Sequence, residues 1–297
     1  MKIYKHGTFW CIINLGNKHT KEGAMNEKLE LRKLLIYAIS VYRIPQKIKG
    51  MTDKRKRKGI PFFNLIMPVF MALLLQYESF HTFFSAPESM GRRFGNFIRG
   101  RIPKVDAVRD ALALLEADEV GDLLDSIVEK TYRNAVFRSG TIGGYTAAAV
   151  DGVELFSSTK KSCRKCLTRK NKAGQTEYFH RSVVCASIGH SPHVVLGQEM
   201  LTPRDGGEKD EGELTGGKRL VRDLHRKFGH FADVIVADAL YLNAPFLNTV
   251  LDCHMDAVIR LKDEERLIYK DAKGLFEKGE GRKDGFRRGR KRIEAWD

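Results

Sequence analysis

Val234-Ile235-Val236-Ala237-Asp238-Ala239-Leu240-Tyr241 decides how this chain reads. Four consecutive apolar residues bounded by Asp233 and Asp238 are too few for a helix. They carry no polar alternation, so they read as a fully buried strand. Asp238 stands at its end. The arrangement occurs once upstream, where Asp151 lies in Ala148-Ala149-Val150-Asp151-Gly152-Val153, an acid inside an otherwise apolar strand. An unpaired carboxylate is costly to bury unless a cation or hydrogen bonds compensate it. Taken singly, each Asp reads equally well as a cap or a turn closure, a common role for aspartate. Two acids in matching strand contexts favour a site, because ligands of α/β sheets collect at the carboxyl ends of the strands.

Working outward, Tyr145 to Phe156 reads as a buried strand. Residues 179–189 and 193–201 read as two more, joined by the turn Gly189-His190-Ser191-Pro192. A helix is expected over 211–228 and another from about Pro245 to Leu251, with a fifth strand at Ala257-Val258-Ile259-Arg260-Leu261. Three strands, helix, strand, helix, strand is the order of a ribonuclease H-like mixed sheet with flanking helices in the α/β class, an order that other α/β folds share in pieces.

The front half changes period. Leu31, Leu34, Leu35, Ala38 and Ile39 recur at helical spacing, and a helical pattern begins at Met25, a second candidate start. Further helices are expected from about Pro68 into the 80s, through Val105, Val108, Leu112 and Leu115, and through Val120, Leu123, Leu124, Ile127, Val128 and Thr131. The expected organisation is an extension over 1–24, an all-helical DNA-binding domain over 25–140, an α/β core over 141–262, and a basic strand-rich segment over 263–297.

Fifty-two Lys and Arg against 37 Asp and Glu give the 297-residue chain a net charge of +15. Two runs concentrate it, Lys54-Arg55-Lys56-Arg57-Lys58 and the tail from Arg282 to Arg292. Such a surface attracts polyanions, and release of condensed counterions supplies free energy for nucleic-acid binding. Charge alone does not choose among DNA, RNA and membrane surfaces. Between the second and third helices lies Gly91-Arg92-Arg93-Phe94-Gly95-Asn96-Phe97-Ile98-Arg99-Gly100-Arg101. Arg92, Arg93, Arg99 and Arg101 interleaved with Phe94 and Phe97 suit a DNA-facing loop; a solvated linker with its Phe residues on the helices is the alternative. The five cysteines form no disulfide pattern, which fits a reducing, cytoplasmic setting. The most apolar stretch, Ile60 to Leu75, is too short and too broken by Pro61, Asn64 and Pro68 to span a bilayer.

At this point a family resemblance becomes specific. Val150-Asp151-Gly152, the stretch from Glu213 through Lys218-Arg219-Leu220 to Val236-Ala237-Asp238-Ala239-Leu240-Tyr241, and Val258-Ile259-Arg260-Leu261-Lys262 together resemble the catalytic domain of insertion-sequence DDE transposases. Ile102-Pro103 before Val105-Asp106-Ala107-Val108-Arg109 is similar to the N-terminal region of the same group. The resemblance covers roughly residues 28–297. It implies a ribonuclease H-like fold and two-metal catalysis with Mg²⁺ or Mn²⁺. It also implies Asp151 and Asp238 as the first two catalytic acids and metal ligands, and the double-stranded terminal repeats of an insertion sequence as partner for a homo-oligomer. Lys262, after the fifth strand, is a candidate phosphate contact. The family's third acid, a Glu, lies on a later helix with a Tyr–Arg–Glu–Lys-type pattern. Glu277, Glu280 and Glu294 stand in no such pattern, so no third acid is assigned, and the chain is expected to stop before it and to bind DNA without cutting it detectably. Two alternatives stay open: a non-catalytic DNA-binding relic or regulator, and a nuclease without strand transfer.

Cys163-Arg164-Lys165-Cys166 has metal-ligand spacing, with His180 and Cys185 downstream. Against a Cys/Cys/His/Cys zinc site, the spacing matches no regular zinc module, and Cys185 suits its apolar strand as a small hydrophobe. His190 and His193 read as turn residues, and His225 and His230 as cations at a helix C-terminus.

Overall fold

The computed structural model describes residues 36–75, 77, 79–84, 100, 103–203, 210–261, 265–279, 283–289 and 291–296. The chain divides into two compact units, Met1–Val136 and Phe137–Asp297.

The described elements of the first unit are helices: α1 Ile44–Gly50, α2 Phe62–Leu74, α3 Phe80–Phe84, α4 Val105–Leu112 and α5 Ala117–Arg133, preceded by a π-helical turn over Tyr37–Val41. Ile44, Ile48, Leu65, Met67, Met71, Phe83, Val108 and Ala111 form its core. The helix expected to open near Pro68 opens at Phe62 instead, with Pro61 as N-cap and Pro68 inside it. Leu65, Met67, Val69 and Met71 are buried on both sides of Pro68. Burial of this order, at about 1.5–3 kcal/mol per large apolar side chain, offsets the roughly 3 kcal/mol that an interior proline costs.

The second unit is a mixed sheet with flanking helices. Its strands are β1 Ala147–Ser158, β2 Leu167–Lys170, β3 Thr176–Ile188, β4 Val195–Met200, β5 Val234–Ala237 and β6 Asp256–Ile259. The order is β2-β3-β1-β5-β6, with β4 also on β3. Pairing is antiparallel among β1 to β4 and parallel from β1 to β5 to β6. Helix α6 Glu213–Phe228 connects β4 to β5, and α7 Ala244–Asp252 connects β5 to β6. The sequence expectation of three strands before α6 is corrected to four: β2 had not been read as a strand.

Helix α6 lies close on the sheet because glycines face it. A Cβ on Gly216 would meet Leu201 at 2.4 Å, and one on Gly217 would meet the Tyr241 ring at 2.8 Å. Two interior glycines cost about 1 kcal/mol each in helix propensity, and that cost is offset by a helix that seats Leu220, Val221 and Leu224 in the core. Beyond β6, the stretch expected to be strand-rich begins with a helix, α8 Leu267–Lys278, and continues as the hairpin β7 Lys283–Arg288 and β8 Lys291–Trp296. No helix among the described residues is long and apolar enough to cross a membrane.

Candidate functional site

Strands β1 and β5 run parallel in register, from Ala147 opposite Val234 to Val150 opposite Ala237. The next residue on each is an aspartate, Asp151 on β1 and Asp238 just past β5. Adjacent strands lie about 4.8 Å apart, so the register brings the two acids to neighbouring positions at the carboxyl end of β5. Both are exposed. A carboxylate oxygen of Asp151 accepts the Gly152 N–H at 2.8 Å. Asp238 caps the 3₁₀ turn Ala239–Tyr241, accepting the Leu240 N–H at 2.8 Å. Each acid therefore makes a local hydrogen bond to a nearby backbone N–H as well as standing beside the other.

A third carboxylate reaches the same place. Glu213, the first residue of α6, lies so close to β1 that a Cβ on Gly152 would sit 2.2 Å from its carboxyl carbon. A side chain at that position would require the Glu213 carboxylate to shift. The Arg181 guanidinium on β3 donates to Glu213 at 2.8 Å and holds the carboxylate in place. Burial pushes the Glu213 carboxyl above its ordinary value; Arg181 opposes this, and the negative charges of Asp151 and Asp238 add to it. Tyr241 completes the surroundings. It is fully buried, its hydroxyl has no hydrogen-bond partner among the described residues, and burial followed by the charges of Glu213, Asp151 and Asp238 pushes its phenol upward. An ionic chain continues from Arg181 to Glu154 at 3.3 Å, from Glu154 to Arg169 at 2.6 Å, and from Arg169 to Glu177 at 2.7 Å. Arg169 is the main reason that the Glu154 carboxyl lies below its usual range. Among the described residues, Asp151, Asp238 and Glu213 do not form a triad with all its ligand oxygens within 4.8 Å of one another.

Glu213 had no assigned role in the sequence because an acid in the first turn of a helix reads as a favourable partner of the helix dipole. The available signal was the pairing of Asp151-Gly152 on a strand with Gly216-Gly217 three residues beyond Glu213, two sets of glycines that together mark a close helix–strand approach.

Of the other expected site residues, Arg92, Arg93, Arg99, Arg101 and Lys262 lie outside the described residues. In the basic run, Arg55 is tied to Asp53 at 2.8 Å and to the Ile60 carbonyl at 2.7 Å, while Lys56, Arg57 and Lys58 are exposed. In the hairpin, Arg287 stands opposite Arg292 and Arg288 opposite Lys291. His190 and His193 are exposed at their turn, and His230 bonds Asp233 at 2.8 Å. Cys163, Cys166 and His180 come together, whereas Cys185 is fully buried opposite Val150, and burial pushes its thiol up to about 12. The four-ligand grouping weighed from the sequence is thereby reduced to three.

No family model matches the sequence, and no curated protein matches it. Among solved structures, a cryo-EM structure of a piggyBac transposase synaptic complex with hairpin DNA is similar at a TM-score of 0.36 and 16% identity, over 89% of this chain. This chain spans 57% of that neighbour's length. A likeness of that degree carries no functional argument.

Proposed function

We propose that the second unit is a metal-dependent phosphodiester-transferring domain with a ribonuclease H-like sheet. Within that class, we assign the chain to the DDE transposases of insertion sequences, acting on double-stranded DNA at the element's terminal repeats. The observation that carries this reading is the register of β1 on β5, with Asp151 and Asp238 the next residues after the last parallel pair. Two carboxylates at the carboxyl end of paired parallel strands offer oxygen donors, the set that hard divalent cations such as Mg²⁺ or Mn²⁺ prefer. When bound, such ions activate a water or a 3′-hydroxyl and stabilise the leaving oxygen at a phosphodiester. Asp151 and Asp238 are the holding residues. Glu213, fixed by Arg181, places a third carboxylate beside them and is a positioning residue in this reading. The exposed Lys56, Arg57 and Lys58, with Arg92, Arg93, Arg99, Arg101 and Lys262, supply phosphate contacts.

A second reading, a DNA-binding regulator of the same family without catalysis, is favoured by one observation: the three carboxylates do not close to within 4.8 Å. One experiment separates the two. The purified chain is incubated with a labelled duplex carrying element ends in Mg²⁺ or Mn²⁺, and nicking and end-joining are followed. Cutting that disappears in Asp151→Ala and in Asp238→Ala supports the enzyme. DNA binding with no cutting supports the regulator, and cutting that survives both substitutions overturns the site.

A further inference from the structure

We propose that Cys163, Cys166 and His180 form a binding site for a zinc-class transition-metal ion, separate from the aspartates. The two sulfurs lie 3.5 Å apart, and His180 Nε2 lies 3.3 Å from the Cys163 sulfur and 3.4 Å from that of Cys166. Tetrahedral zinc has bonds of about 2.3 Å to sulfur and about 2.0–2.1 Å to nitrogen. Those lengths at a tetrahedral angle put two sulfurs about 3.8 Å apart and each about 3.5 Å from the nitrogen. The three atoms therefore already stand at nearly the separations of a common ion. The sulfur separation is far beyond the roughly 2.05 Å of a disulfide.

The assembly follows from topology. Strand β1 ends at Ser158, the chain turns through 159–166, and β2 returns along the far side of β3, with Leu167 opposite Phe179. His180 is the next residue on β3 and pairs with Phe156 of β1. The histidine is thus fixed on a strand with partners on both sides, and the cysteine turn is brought down onto it. The Cys163 N–H donates to the Cys166 sulfur at 3.1 Å, which holds the two ends of the turn together. Packing alone does not account for the group. Cys166 is buried, but Cys163 is exposed, where a thiol gains nothing from apolar burial. Two sulfurs and an imidazole select a borderline-soft ion over Mg²⁺. Among the described residues the group includes no fourth Cys, His, Asp or Glu, and the exposed Cys163 side leaves the fourth position open to solvent. The ion would tie the 159–166 connection to β3 through His180.

Zinc content is the direct test. The full chain is expressed with zinc, exchanged through EDTA to remove loosely held ions, and assayed for metal by mass spectrometry. The expected result is close to one zinc per chain in the wild type and in Asp238→Ala, with loss to background in Cys163→Ser and in His180→Ala of unchanged circular dichroism. Cobalt substitution should give a thiolate charge-transfer band that Cys163→Ser weakens. A measurement on the wild type guards against misfolded variants: bound zinc should slow alkylation of Cys163 at least tenfold relative to chelator-stripped protein. Wild-type protein without stoichiometric zinc, zinc retained in both folded variants, or Cys163 alkylated equally fast with and without zinc would overturn the site.

Discussion

Gly152→Ala adds one methyl group where β1 meets the start of α6. The new Cβ would stand 2.2 Å from both the carboxyl carbon and one oxygen of Glu213, and 2.7 Å from the other oxygen. Ordinary contact needs about 3.5 Å, so the carboxylate must retreat by more than about 1 Å. A shift of that size stretches the hydrogen bond from Arg181, now 2.8 Å. A hydrogen bond to a charged group contributes about 1.5–3 kcal/mol, and Arg181 keeps Glu154 as a partner, which reduces the loss. Against this, Ala in place of Gly in a compatible backbone stabilises by about 0.4–1 kcal/mol. The net expectation is a destabilisation of about 1–2 kcal/mol, read as a lower urea midpoint at unchanged slope. The same substitution in a Glu213→Ala background should be neutral or stabilising, because the obstructing group is gone. That difference is a coupling measured by a double-mutant cycle. If Gly152→Ala stabilises the wild type, or costs as much in the Glu213→Ala background, then Glu213 does not reach β1 as described.

Asp233 should set part of the acid limb of stability. His230, then the Thr146 N–H at 2.6 Å, hold its carboxyl below the ordinary range. A depressed folded value gives stability that is present above about pH 4 and lost as pH falls through the folded value, so the urea midpoint of Asp233→Asn should change less than that of the wild type between about pH 6 and about pH 3. Glu213 should act in the opposite sense. Its folded value is raised, mainly by burial, so the native state holds the proton longer, and stability should fall as pH rises from about 4.3 through the raised value; Glu213→Gln should flatten that decline in a pH series of denaturation curves. DNA affinity should fall steeply with salt, and replacing Arg92, Arg93, Arg99 and Arg101 by Ala should reduce the slope of log affinity on log salt by about 3–4, at roughly 0.9 per phosphate contact. An unchanged slope would remove those arginines from the interface.

The parts of the fold that were legible in the sequence are those where one physical signal dominates. Val234-Ile235-Val236-Ala237 and Ala147-Ala148-Ala149-Val150 are short unbroken apolar runs that suit a buried strand, and each is followed by its aspartate. Strand β2 escaped because Leu167-Thr168-Arg169-Lys170 has one buried residue and is held by backbone pairing to β3 and by Arg169 to Glu154 and Glu177. Helix α8 escaped although Ile268, Ala272, Leu275 and Phe276 recur at helical spacing, because the family resemblance implies a strand-rich segment there; in the structure none of its residues is buried. Helix α2 was displaced because Pro68 resembles a first-turn proline, whereas packing on both sides of it overrides that preference. In the site, Asp151 and Asp238 could be named from strand context, but Glu213 could not, since its place depends on how closely α6 approaches Gly152. Cys163, Cys166 and His180 meet through the register of β1, β2 and β3, and spacing alone does not carry register.

Titration of the purified chain with Mn²⁺ by calorimetry, in the wild type and in Asp151→Asn and Asp238→Asn, bears most directly on the proposed carboxylate site. Manganese prefers oxygen ligands over sulfur, so the Cys163 group should contribute little to the heat. The expected result is a Mn²⁺ site in the wild type that either substitution weakens at least tenfold, a loss of about 1.4 kcal/mol or more. Wild-type protein that binds no Mn²⁺, or equal affinity in all three proteins, would contradict Asp151 and Asp238 as a shared metal site.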